Sequence, residues 1–111
     1  MAKKLKIGTV GLRFGAEFPP IYRDHPDVES VTLCERDKDL LALYAHKFGF
    51  QNTTDSFDAL CDSDVDAIHI ITGIPSHAEL VIKALKAGKH VACTVPMATT
   101  IDDMYRIIEA A

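Results

Sequence analysis

The chain has 111 residues, 48% of them hydrophobic, and carries 12 Lys and Arg against 16 Asp and Glu, a formal net charge of −4. That length makes one domain, able to bury roughly two-thirds of its unfolded surface in a single layered core. The acidic balance, without a basic stripe, argues against nucleic acid as a partner, and no apolar run approaches the ~20 residues of a membrane span.

The N-terminal segment Met1–Lys6 is basic but leads into an apolar run too short for a signal-peptide core, so the expected location is cytoplasmic. Cys34, Cys61 and Cys93 are odd in number and lack metal-ligand spacing, and they read as reduced thiols.

Taken in order, Leu5 to Val10 is a short apolar run broken by a glycine and reads as a buried strand. Gly11 and Gly15 follow, and a first helix is expected from Gly15 to about Asp24. Pro19 and Pro20 are tolerable only in a first turn, so this helix starts near Ala16 to Phe18 or has a distorted first turn. His25-Pro26-Asp27 is a turn, and Val28 to Cys34 is the second strand, with Val31 and Leu33 facing inward. Asp37 caps a helix to Phe48 that places Leu40, Leu41, Tyr44 and Phe48 on one side, with Gly49 as its stop.

Phe50 to Thr53 is predicted as a short strand, and Asp55 or Ser56 caps a short helix through Ala59, Leu60 and Cys61. Asp62-Ser63-Asp64 is a polar turn; with Asp66 it alternates like a calcium loop but lacks the glycine and the distal glutamate. Ala67 to Ile71 is a continuous apolar run, as in a central parallel strand covered on both faces. Ser76 to Ala87 is a helix stopped by Gly88, His90 to Cys93 is the fifth strand, and Thr100 caps a last helix with Asp102 and Asp103 in its first turn.

This alternation predicts an α/β fold, a doubly wound parallel sheet of five strands with helices on both faces. Ligands of such sheets bind beyond the carboxyl ends of the strands. The stretches expected there are Gly11 to Ala16, Glu35-Arg36, Thr72 to His77 and Thr94 to Ala98.

The first of them follows a strand and opens a helix, as the dinucleotide fingerprint G-x-G-x-x-G/A does. Gly11 and Ala16 fit its outer places, but Arg13 holds the middle one. Glu35 follows Gly11 by a little more than the ~20 residues at which the fingerprint asks for an acidic residue to accept hydrogen bonds from the adenosine ribose. A carboxylate there favours NAD over NADP. Arg13 and Arg36 pull the other way, since either can stack on adenine or contact a phosphate, and Arg13 can also intrude on the pyrophosphate.

His69, inside an apolar strand, reads as a core or interface histidine; His77 reads either as helix-start packing or as a ligand-side residue. Cys34 and Cys93 lie near the binding edge with nothing beside them to lower a thiol pKa.

Several stretches together resemble one family. They are Lys6-Ile7-Gly8-Thr9-Val10-Gly11, Cys34-Glu35-Arg36-Asp37, Asp66-Ala67, Thr72 with His77, and above all Ala84-Leu85-Lys86-Ala87-Gly88-Lys89-His90-Val91 with Pro96 beyond it. They are similar to the N-terminal domain of the Gfo/Idh/MocA oxidoreductases, over essentially the whole chain. The resemblance implies a Rossmann domain that binds a nicotinamide dinucleotide, NAD with NADP as the second possibility, and works with a C-terminal domain holding a sugar, polyol or related small molecule. It implies cofactor contacts from Gly11, Leu12, Arg13, Phe14 and Ala16 at the pyrophosphate and from Glu35 and Arg36 at the adenosine. Thr72, Gly73, Ile74, His77, Thr94, Val95 and Pro96 would approach the ribose and nicotinamide.

The chain departs from the family in three places. The family's Glu-Lys-Pro is Thr94-Val95-Pro96, its Thr-Pro-Asn-x-x-His has Gly73 and Ile74 in place of Pro and Asn, and the middle glycine is Arg13. Val95 has no proton to give, so the alternative is a non-catalytic relative that binds a nucleotide as sensor or structural ligand. A methyltransferase-like domain also carries an acidic residue after its second strand, but the Ala-Gly-Lys-His run and Pro96 argue against it. The second domain and a sixth strand are absent, so the chain reads as a fragment, and its open sheet edge is expected to pair with a second copy or recruit another chain.

Overall fold

Strand β1 (Leu5–Val10) lies at the centre of the sheet because both its faces can be covered: Ile7 and Val10 are buried and Thr9 is fully so. The computed structural model describes residues 3–111; Met1 and Ala2, which begin the basic N-terminal segment, lie outside the described residues. Four further strands run parallel to β1: β2 (Val28–Cys34), β3 (Thr53–Thr54), β4 (Ala67–Ile70) and β5 (His90–Cys93). Their order is β3-β2-β1-β4-β5, the doubly wound order, with the switch in direction between β1 and β4.

Helices α1 (Phe18–Arg23) and α2 (Lys38–Phe48) cover one face. Their core joins Leu12, Val31, Leu33 and Leu41, with Tyr22, Tyr44 and Phe50 packed against it. Helices α3 (Phe57–Asp62), α4 (His77–Lys86) and α5 (Ile101–Ala110) cover the other. There Val10, Ile68 and Ile70 meet Leu60, Val81, Ile82 and Ile107. Gly8 lets α3 close in: a Cβ on it would fall 2.8 Å from a methyl of Leu60.

The two prolines have the effect expected of them. Phe14–Glu17 is a 3-10 turn, and α1 proper begins at Phe18 with Pro19 and Pro20 in its first turn. Asp37 caps α2, accepting from the Asp39 and Leu40 N–H groups, and Ser56 rather than Asp55 caps α3. Thr100 caps α5 through the Asp103 N–H.

One strand is displaced from its predicted place. β3 is Thr53–Thr54, not Phe50 to Thr53, because Phe50 belongs to the end of α2. Its N–H bonds the Ala45 carbonyl at 2.9 Å, and its ring packs with the α2 core beneath the Arg23 guanidinium. Asp64 and Asp66 pair with Lys6 and Lys3, and Asp66 also accepts from the Lys6 N–H, so the acidic turn anchors the start of β1.

Candidate functional site

Because the strands are parallel, the loops after β1, β2, β4 and β5 meet along one edge of the sheet. At the first of them the main chain turns at Gly11 with φ +99°, a conformation L side chains rarely adopt. A Cβ there would fall 2.5 Å from the Ile71 carbonyl oxygen, so the β1 turn lies directly against the loop leaving β4. A Cβ on Gly15 would fall 2.9 Å from the Ile71 side chain. Gly11 thus lets backbone approach backbone, while Gly15 packs against the Ile71 side chain, with Arg13 between the two.

Arg13 does not reach across this turn. Its guanidinium lies 3.5 Å from the Asp37 carboxylate at the start of α2; the Arg13 side chain is largely exposed and that of Asp37 partly so. Glu35, at the end of β2, is oriented from two sides: Oε1 accepts from the Leu12 N–H and Oε2 from the Asp37 N–H, each at 3.0 Å. A carboxylate has about four acceptor positions, so each oxygen keeps a lone pair for another donor.

Between these groups and the β4 loop lies a cavity of about 430 Å³. Gly11, Arg13, Glu35, Arg36, Thr72 and Gly73 line it. So do Cys34, Asp37, Asp55, Phe57, Pro75, Ser76 and Leu80. Asp37 and Leu80 have plain helical duties, as cap and as apolar face, and these hid their second position in the sequence. A hollow of about 530 Å³ lies elsewhere, beside α3 toward the strand starts, between Lys6, Ser30, Asn52 and Asp64. Its one cation, Lys6, is already paired with Asp64 and Glu29.

The remaining predicted residues divide by burial. Leu12 is 1% exposed and belongs to the α2-side core, so only its backbone faces the site, and its N–H is held by Glu35. Ala16 is buried, while Phe14, Ile74 and Val95 are exposed apolar side chains that do not line the cavity, Val95 at 89%. Thr94 donates its N–H to Ile70.

His77 is 1% exposed and does not open onto the cavity. Its Nδ1 lies 2.7 Å from the Pro96 carbonyl and its Nε2 2.9 Å from the Thr72 carbonyl, so one ring ties the loop after β4 to the loop after β5. A neutral ring donates to one of these carbonyls, a protonated ring to both. The Thr72 and Ser76 hydroxyls bond each other at 2.6 Å, and the latter donates to the Gly73 carbonyl.

His69 faces α1. Its Nδ1 meets the Tyr22 hydroxyl at 2.8 Å and its ring packs edge-on to Phe18. Burial lowers the His69 pKa and raises that of Tyr22, which keeps a neutral acceptor facing a protonated donor. Burial, with Glu35 adding to it, pushes the Cys34 thiol up to about 12, so Cys34 is a packing residue despite its place beside the cavity.

Residues 5–111 match the Gfo/Idh/MocA family, described as an oxidoreductase family with an NAD-binding Rossmann fold. The chain belongs to this family. Inositol 2-dehydrogenase 3 of Saccharopolyspora erythraea is 38% identical over 82 residues, which are 74% of this chain and 24% of that protein. Among solved structures, an oxidoreductase from Agrobacterium radiobacter in complex with NAD+, L-tartaric acid and magnesium superposes with a TM-score of 0.88 at 25% identity. That match covers 97% of this chain and 32% of the other. A 3-ketoreductase from Actinomadura kijaniata, in complex with TDP-benzene and NADP, gives 0.84 at 27% identity over 98% of this chain and 35% of its own.

This Gfo/Idh/MocA chain thus spans between a quarter and about a third of the length of the relatives it matches. It is the NAD-binding Rossmann domain of that family, and its residues fit a nicotinamide dinucleotide: a bare turn at Gly11, a cavity beside it, and at the end of β2 a carboxylate oriented by two backbone N–H groups. The relatives named are a dehydrogenase, an oxidoreductase and a reductase, and the non-catalytic alternative draws no support from them. No helix among the described residues is long and apolar enough to cross a membrane.

Proposed function

We propose that this domain holds a nicotinamide dinucleotide across the carboxyl ends of β1, β2 and β4 and presents its nicotinamide ring to a sugar, polyol or related small molecule. The observation that carries this reading is Glu35. Its carboxylate is fixed by two backbone N–H groups at the mouth of the cavity, with lone pairs left for the ribose hydroxyls. The pyrophosphate would lie against the main chain from Gly11 to Ala16, where Gly11, on the cavity wall, carries no side chain. The nicotinamide half would run toward Thr72–Ile74 and Thr94–Pro96.

When bound, the dinucleotide supplies the hydride chemistry. This chain's part is to bind, orient and exclude water. Val95, in the loop after β5, has no group to move a proton. The three thiols are free, which fits a reducing, cytoplasmic setting. The outer edge of β5 would take a second copy of the chain.

The test is titration of the purified chain with NADH, followed by nicotinamide fluorescence. We expect saturable binding that Glu35→Gln weakens about tenfold, the worth of one charge-assisted hydrogen bond. Absence of binding by wild type would overturn the reading.

A further inference from the structure

We propose that Arg13 makes this domain accept a 2′-phosphorylated dinucleotide alongside the unphosphorylated one. The inference rests on the dinucleotide reading above and deepens it at the adenosine end.

The argument is one of fixed charge. Glu35 alone, at the end of β2, would repel a 2′-phosphate at close range. It is not alone: Arg13, Arg36, Asp37 and Asp55 line the same cavity and Lys38 pairs with Asp55, so three cations stand there against three carboxylates. The place of Arg13 is set by a chain of contacts. Glu35 Oε2 holds the Asp37 N–H, and Asp37 Oδ1 caps α2 through the Asp39 and Leu40 N–H groups. Its other oxygen, Oδ2, lies 3.5 Å from the Arg13 guanidinium. The anchored carboxylate keeps the guanidinium at the ribose corner and off the Gly11–Gly15 turn. One Nη contact to Asp37 leaves most of the five donors of Arg13 free for a phosphate. Lys38, the next cation along, is turned to Asp55 instead.

The experiment uses the 111-residue chain and ligands that carry only the adenosine half, ADP and 2′,5′-ADP, measured by calorimetry beside NADH and NADPH. We expect wild type to bind both members of each pair with affinities within about tenfold of each other, the scale of one charge-assisted contact. Arg13→Gly, which restores the glycine of the fingerprint, is expected to weaken 2′,5′-ADP and NADPH about tenfold or more and to leave ADP and NADH unweakened. Arg13→Gln, which keeps the bulk and removes the charge, should do the same, and thermal melts confirm that both variants fold. Asp37→Asn should shift preference toward the phosphorylated pair. If ADP binds and 2′,5′-ADP does not, or if Arg13→Gly leaves the ratio unchanged in a folded protein, the Arg13 assignment is overturned while the dinucleotide reading stands. If no adenosine ligand binds wild type, the dinucleotide reading itself fails.

Discussion

Thr9 lies at the middle of β1, fully buried, opposite His69 in register, and its hydroxyl has no hydrogen-bond partner among the described residues. A buried hydroxyl without a partner costs more than a methyl of the same shape. Thr9→Val keeps the β-branch and should therefore stabilise the chain by about 1 kcal/mol, read as a higher urea midpoint at unchanged slope. A lower midpoint would show that the hydroxyl has a partner in solution. Other single residues show what the sequence could and could not disclose. Glu35 was legible because its place, after the second strand, is fixed by the connection length. The pairing of Arg13 with Asp37 and the two partners of His77 were not, because they depend on atoms the sequence does not bring together. The partners of His77 are two backbone carbonyls, one of them 19 residues away.

At the scale of elements, β1, β2 and β5 fall where the sequence places them, because each is a short apolar run closed by turn residues. β3 does not, because Phe50 is apolar enough for a strand but is used to finish α2. β5 has its own consequence. Its alternate N–H groups are spent on β4: His90 donates to Asp66 and Thr94 to Ile70. With a period of two, those of Val91 and Cys93 point to the free side. Among the described residues nothing pairs with that side. Such an edge invites another strand. Sedimentation velocity of the isolated chain should show concentration-dependent dimerisation; a monomer at every concentration would mean that the edge is protected.

The whole molecule is a slab of 40 × 38 × 22 Å, and its pH response follows from where its titrating groups sit. Burial holds His69 below its ordinary 6.5, so above that pH both folded and unfolded states are neutral there. As pH falls below 6.5 the unfolded chain takes up the proton first, and stability declines until the folded pKa is passed. Asp64 and Asp66 are lowered by Lys6 and Lys3, and their contribution, present above 3.8, is lost as pH falls through their folded values. On the alkaline side Lys6, raised by Asp64, contributes below 10.5 and ceases to as pH rises through its folded value. Urea midpoints should thus be flat from about 7 to about 8 and fall on both sides, the alkaline fall beginning where the unfolded chain gives up the Cys34 proton that burial retains in the folded state. The step below 6.5 should be removed by His69→Gln; an unchanged step would assign it to another histidine.

The ring of His77 has a consequence of a different kind. Two loops that leave different strands share one buried imidazole and so move as a single piece rather than as two. A ligand that settles on the loop after β4 finds the loop after β5 already in its place and does not have to freeze it. The conformational freedom that would otherwise be lost on association was surrendered when the chain folded, and a weak set of contacts then suffices for measurable affinity.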